Sequence, residues 1–166
     1  MNRNPFFLFS GILTVIMLSC AAAPQQADKP HVVTQDNKKV YLDEFKGRLV
    51  IIDVWATWCG PCRMLIPELI KIHNMYGKTA AVVGISVDRG LSEESLKKFV
   101  KENKMNYPVG FGNPSLKDFL RGVSAIPTVF ILDPQGKVIE RIEGFDPDIG
   151  ARIKGYLLKY KLLEEI

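Results

Sequence analysis

Cysteine, histidine and tryptophan are scarce in this chain: three, two and two of them in 166 residues. So few cysteines exclude a disulfide-stapled scaffold, which is shorter and richer in Cys. They also leave too few ligands for a structural zinc site. Cys59 and Cys62 have no second pair, His31 lies in a polar N-terminal stretch, and His73 lies too far along the helix that follows them. No metal is expected. Charge of one sign is not concentrated anywhere. The formal net charge is +4 and Lys and Arg are scattered, so nucleic acid is not expected as a partner. There is no internal repeat and no low-complexity tract. The longest apolar run, Phe6 to Leu18, falls short of the about 20 residues of a spanning helix, and only an extension to Ala23 would bring an uncleaved anchor within reach. What remains is ordinary globular composition, 47% hydrophobic and 24% charged, in a length that suits one domain with a real core.

The N-terminus has the layout of an export signal. Arg3 is the only charged side chain before Asp28, an apolar run follows, and "LSCAAAP" supplies small residues for cleavage. Cleavage before Cys20 would leave a cysteine for lipid attachment. Cleavage after Ala23 would use Ala21 and Ala23 and discard Cys20. The first is preferred, because a lone Cys directly after the apolar run is otherwise hard to explain. The expected organisation is a signal peptide over 1–19, a polar tether over 20–33 and a folded domain over 34–166. Either cleavage puts the domain outside the cytoplasm, anchored by Cys20 or soluble in the periplasm, where disulfides persist.

Strands and helices alternate through the folded part. A short strand is expected near Lys39–Leu42 and a helical corner at Asp43–Lys46. The apolar run Leu49–Trp55, rich in Val and Ile, suits a strand buried on both faces of a parallel sheet. A helix follows from Cys59 to Gly77, carrying Pro67 inside it as an expected kink. "AAVVGISVD" is a second buried strand. Ser92 caps a helix over Glu93–Glu102, with Glu93–Lys97 and Glu94–Lys98 spaced for ion pairs. "YPVGF" is a short strand, Asn113-Pro114 opens a helix closed by Gly122, and "TVFILDPQGKVIERI" is a hairpin about a turn at Asp133–Gly136. Asp146-Pro147 opens the last helix. The implied fold is α/β, a mixed sheet with helices on both faces. Sites in such sheets lie beyond the C-terminal ends of the parallel strands, where Cys59 stands.

The stretch "WATWCGPC" over 55–62 admits three readings. A structural disulfide would close a loop too small to remove much entropy from the unfolded chain. Metal binding lacks ligands. Redox exchange is favoured by position, because the open N–H groups and dipole of a helix N-terminus stabilise a thiolate. Cys59 is then the attacking sulfur with a lowered pKa, and Cys62, one turn inward, the resolving one. Gly60 leaves room for a partner's backbone, Pro61 fixes the first helical turn, and Trp58 offers a flat apolar docking surface. Trp55 is read as core.

At these residues the sequence resembles the thioredoxin superfamily, with which it shares "WCGPC" and a downstream "IPT". The export signal, the lead-in "FKGRLVIIDVWATWCGPCR" and the extra strand and helix between "ISVD" and "IPTVFI" are most similar to the TlpA/ResA-like branch. The resemblance implies a thioredoxin-like three-layer α/β/α sandwich with a mixed central sheet. It implies a membrane-tethered extracytoplasmic thiol–disulfide oxidoreductase whose redox-active group is a Cys59–Cys62 disulfide, with no further cofactor. It makes Pro127 a cis-proline beside the Cys pair, and Ile126 the residue whose backbone pairs with the substrate chain. Asp53 matches the buried acid of thioredoxin and would accept the Cys62 proton. One departure is Leu65, where that branch often has Glu, and this weakens any narrow assignment to apocytochrome c.

The expected partners are protein disulfides or dithiols and a membrane thiol donor, with reduction as the favoured direction and cytochrome c maturation one possible setting. Two alternatives are a thioredoxin-fold peroxidase and a copper or other metal carrier using the Cys pair. The first lacks the P-x-x-x-T-x-x-C setting before Cys59.

Overall fold

The computed structural model describes residues 28–163. The expected signal peptide, Cys20 and the tether as far as residue 27 lie outside the described residues. The strands are β1 (His31–Thr34), β2 (Lys39–Tyr41), β3 (Leu49–Trp55), β4 (Ala80–Ser86), β5 (Val109–Gly112), β6 (Thr128–Leu132) and β7 (Val138–Glu143). The helices are α1 (Gly60–Tyr76), α2 (Glu93–Glu102), α3 (Pro114–Phe119) and α4 (Ile149–Lys159), with a 3-10 turn over Leu42–Phe45. The strands form one sheet in the order β2-β1-β5-β4-β3-β6-β7. β3, β4 and β5 are parallel, and the other pairings are antiparallel.

β3 is central and buried along its whole length. Its side chains alternate between two cores, as strand geometry requires. Leu49, Ile51 and Trp55 meet residues of α1, α2 and α4 on one face. Val50, Ile52 and Val54 meet Leu116 and Leu120 of the α3 region on the other. Each fully buried Leu or Ile here stabilises the fold by about 1.5–3 kcal/mol relative to exposure. β6 and β7 join through a turn in which Gly136 has φ +85° and Gly136 N–H donates to the Asp133 carbonyl oxygen at 2.8 Å. The Asp133 side chain also accepts from the N–H groups of Gln135 and Lys137.

Several local expectations are corrected. The tether was expected to reach residue 33, but the sheet begins at His31. Val32, Val33 and Thr34 are β-branched, and they pair with β2 on one side and β5 on the other. The polar neighbours Pro30 and Gln35–Asn37 mask that strand in the sequence. The Glu93–Lys97 and Glu94–Lys98 pairs do not form. Lys97 reaches Asp36 at 3.0 Å and Lys98 reaches Glu102 at 3.9 Å. All four side chains are exposed, so little energy separates the two arrangements. α3 ends at Phe119, before Gly122, and α4 begins at Ile149, because Asp146 first spends its carboxylate on the Asp148 N–H in a separate turn. The helix expected from Cys59 to Gly77 is present as α1, with Pro67 inside it.

Candidate active site

The strand-to-helix junction β3–α1 sets the site. β3 ends at Trp55, and the chain turns through Ala56–Trp58 so that Cys59 becomes the N-cap of α1. Pro61 falls in the first helical turn, where its missing N–H costs nothing. Cys59 and Cys62 are joined in a disulfide with Cα atoms 5.3 Å apart. The Cys62 N–H donates to Cys59 Sγ at 3.2 Å. Cys59 is 5% exposed and Cys62 is fully buried, so one sulfur lies nearer the surface than the other. Around them Trp58, Gly60, Pro61, Arg63 and Met64 are exposed, Trp58 at 71%. A β-carbon at Gly60 would meet nothing within 4 Å, so the approach over Cys59 is open.

The loop before β6 closes the other side. The Ile126–Pro127 peptide is cis, and Pro127 is buried. Thr128 pairs across from Val54, which puts Pro127 at the end of β3 from which the Cys59 loop departs. Ile126 packs against the core that contains both sulfurs. Among the described residues, neither the backbone N–H nor the C=O of Ile126 takes a hydrogen bond. An extended chain laid beside this loop would meet a free donor and a free acceptor.

Asp53 lies on the side of the sheet that α1 covers. It occupies the odd-numbered face of β3, the face packed against α1, and is completely buried. Neither carboxyl oxygen has a hydrogen-bond partner. Burial alone pushes its pKa up to about 8. The acid is thus neutral at moderately low pH and able to trade a proton near neutrality. Trp55 is wholly buried and stacks on Phe99 at 5.0 Å, as the core reading requires. His73 stands far along α1 with its ring 6.2 Å from that of Tyr107. Among the described residues no cluster of three or more His, Cys, Asp or Glu is placed to hold a metal ion.

Sequence reading missed the polar clamp that fixes the loop. Asp88, just past β4, accepts from the Thr57 N–H at 2.9 Å, the Thr57 hydroxyl at 2.7 Å and the Ser86 hydroxyl at 2.8 Å. Arg63 grips the Thr57 carbonyl oxygen from α1 through Nε and a terminal nitrogen, at 2.9 and 2.6 Å. The signal available was an acid at the C-terminal end of a parallel strand in "SVD". Asp88→Ala is expected to lower unfolding free energy by about 1.5–3 kcal/mol, because charged acceptors make the stronger bonds. It should also slow disulfide exchange, since the loop carrying Trp58 loses its anchor. Denaturant unfolding with a parallel rate assay checks this; an unchanged pair of values would refute the clamp. Also missed were Val87 and Phe145, both exposed. The Val87 N–H donates to the Trp55 carbonyl and the Gly144 N–H to that of Pro127, which brings both apolar side chains to this end of the sheet.

A thioredoxin-like sheet with a C-x-x-C disulfide at the mouth of its central helix and a cis-proline loop beside it defines a thiol–disulfide oxidoreductase. Comparison with known proteins agrees. The profile of the AhpC/TSA family matches residues 21–141. A thiol-disulfide oxidoreductase ResA of Bacillus thuringiensis subsp. konkukian (strain 97-27) is 35% identical over 121 residues, 70% of this chain and 68% of that protein. The ResA of Bacillus subtilis (strain 168) is 27% identical over 157 residues, 86% and 87% of the two chains. A crystal structure of a thioredoxin-family thiol:disulfide interchange protein from Chlorobium tepidum TLS superposes with a TM-score of 0.69 at 29% identity, covering 78% of this chain and 94% of that one. The chain belongs to the AhpC/TSA family, and within it to the ResA-like thiol–disulfide oxidoreductases.

Proposed function

We propose that this protein reduces protein disulfides outside the cytoplasm by a dithiol mechanism. The observation that carries the reading is the asymmetry of the pair: one sulfur nearer the surface at a helix N-cap, the other fully buried one turn inward, on the side of the sheet where Asp53 is buried without a partner. In the reduced enzyme Cys59, as thiolate, attacks a client disulfide. That S–S bond breaks, a mixed disulfide to Cys59 forms, and the released client sulfur takes up a proton. Cys62 then gives its proton to Asp53 and attacks Cys59 Sγ. The second client thiol leaves, and the Cys59–Cys62 disulfide is formed. Two electrons have passed to the client, so a thiol donor must reduce the enzyme again.

Binding falls to the surface around the sulfurs. Trp58 gives an apolar platform, Gly60 and Pro61 leave the approach open, and Ile126 next to Pro127 pairs with an extended client backbone in the manner of an added strand. The export-signal layout of the first residues supports an extracytoplasmic site of action. Cys20 as a lipid-bearing residue would tether the domain and bring it to a membrane thiol donor. A solved relative from Corynebacterium glutamicum, 25% identical with a TM-score of 0.63 over 76% of this chain, is described as a secreted thiol-disulfide isomerase. Among the described residues no helix is long and apolar enough to cross a membrane. Clients of the right chemistry include apocytochrome c, metal-assembly proteins and mispaired secreted proteins; Leu65 in place of an acid argues against a site tuned to apocytochrome c alone.

Equilibration of the purified protein with defined thiol–disulfide buffers tests the direction. A reductant should show a potential near that of thioredoxin, about −270 mV, and a value near the about −120 mV of a strong oxidant would reverse the assignment. The same preparation should reduce insulin disulfides faster than it turns over peroxide. The opposite order would favour a peroxidase.

A further inference from the structure

Four buried polar atoms belong to residues on the core side of the sheet that also holds the disulfide, and the dithiol chemistry uses only two of them. Besides the two Asp53 oxygens, the Trp55 indole nitrogen and the Tyr107 hydroxyl are buried without a hydrogen-bond partner among the described residues. Protein interiors seldom leave such groups unengaged. Their convergence follows from a glycine. Gly84 of β4 is the cross-strand partner of Asp53, so a side chain there would project onto the same face of the sheet. A β-carbon at Gly84 would lie 3.1 Å from Trp55 Nε1, 3.2 Å from Val109 Cγ2 and 3.4 Å from Tyr107 Cε2. The bare backbone at 84 therefore leaves the Trp55 indole nitrogen and the Tyr107 ring packed over the strand position beside Asp53. Trp55 stands two residues beyond Asp53 and shares its face. Tyr107 is electrostatically within reach of the acid: burial first, and then the Asp53 charge, holds its phenol well above the ordinary value.

We propose that Tyr107 is a positioning residue for the redox centre, its hydroxyl supplying, with the Trp55 indole N–H, the donors that the Asp53 carboxylate engages when it holds no proton. The inference rests on the dithiol reading above. Neither polar group hydrogen-bonds to a sulfur; both act through Asp53. A donor aimed at the charged form makes that form accessible, and this is what a buried base needs in order to take the Cys62 proton. The other titratable groups around this core are Cys59 and Cys62 of α1, His73 of α1 against the Tyr107 ring, and Tyr76, Tyr156 and Tyr160, which pack only partly buried at its margin. Arg48 acts on His73 and, together with burial, which is the larger cause, lowers its pKa, so His73 stays neutral near pH 7 and adds no charge to the site. α2 contributes Leu96 and Val100, which are apolar.

The test is stopped-flow kinetics of the reduced full chain with insulin as the disulfide, following the phase in which Cys62 displaces the client, from pH 5 to pH 9. The unaltered protein should show a pH midpoint set by Asp53. In Tyr107→Phe that midpoint should rise by about one unit, making the step about tenfold slower below it, with the high-pH plateau retained. A merely structural loss would lower thermal stability and leave the midpoint in place. A midpoint that stays put in the variant overturns the role of Tyr107 and spares the dithiol reading, whereas an unaltered protein with no displacement phase overturns the dithiol reading itself. A second measurement needs no variant. In a pH titration by NMR, the Trp55 indole N–H and the Tyr107 ζ-carbon should shift with the same midpoint as the Asp53 carboxyl carbon. If both stay flat while Asp53 titrates, the inference fails.

Discussion

Exchange of Cys59 for serine is expected to abolish disulfide reduction, by a factor on the order of 10³ or more, because the covalent route then has no nucleophile. Cys62→Ser should behave differently. Cys59 still caps α1, is still the sulfur nearer the surface and still faces the open approach over Gly60, so attack on a client proceeds. Displacement then stalls, because no second sulfur stands one turn inward, and a mixed disulfide to Cys59 accumulates. Mass spectrometry of the variant after expression in its native host should find covalent adducts that thiol reductants release, and should identify the client. The fold should survive both changes, since the pair closes a loop of only three residues' separation and so constrains the unfolded chain little. A Cys62→Ser protein free of adducts, combined with metal retained in stoichiometric amount by the unaltered chain, would point to a carrier. Reduced Cys59 should also react rapidly with an alkylating agent at neutral pH, and a slow reaction there would remove the basis for the attack step.

The parts of this molecule that were legible in the sequence are those where local chemistry and tertiary packing agree. β3 was readable because it is buried on both faces and its residues are nearly all apolar, and α2 because Ser92 caps it with a bond to the Ser95 N–H at 3.2 Å. Asp53 stood out as the one charge in that apolar run, and Cys59 as an N-cap followed by Pro. β1 was hidden because four residues carry no period and its flanks are polar; pairing with β2 on one edge and β5 on the other makes it a strand. The choice of Asp36 over Glu93 by Lys97 depends on where a hairpin 61 residues away comes to rest. The Asp88 clamp and the meeting of Trp55, Gly84 and Tyr107 are likewise products of strand register. No spacing in the sequence relates Tyr107 to Asp53, and Gly84 reads as a weak point in a strand until its neighbours are known.

Asp53→Asn is expected to stabilise the protein at and above neutral pH while impairing its chemistry. The folded-state pKa of Asp53 is about 8, raised by burial, against about 3.9 in an unfolded chain. Between those values the unfolded chain has released its proton and the native protein retains it, so stability falls as pH rises from about 4 to about 8. Below that window the acid is neutral in both states and the substitution should change little. Above it the native protein must hold a charge that burial disfavours, and removing that group should gain on the order of 2–5 kcal/mol. Urea unfolding of both proteins at pH 4.5 and pH 8.5 reads the difference directly. A gain that is equal at the two pH values would mean that Asp53 is not the titrating group, however the catalytic assays turn out. Displacement by Cys62 should meanwhile slow on the order of 10²-fold at pH 7, as the loss of a positioned base requires. The opposite signs of the two effects are the point. A residue that stabilised the core would weaken the fold when removed, whereas a group that the fold holds at a cost is what the proposed mechanism requires, in which the buried sulfur leaves its proton on Asp53.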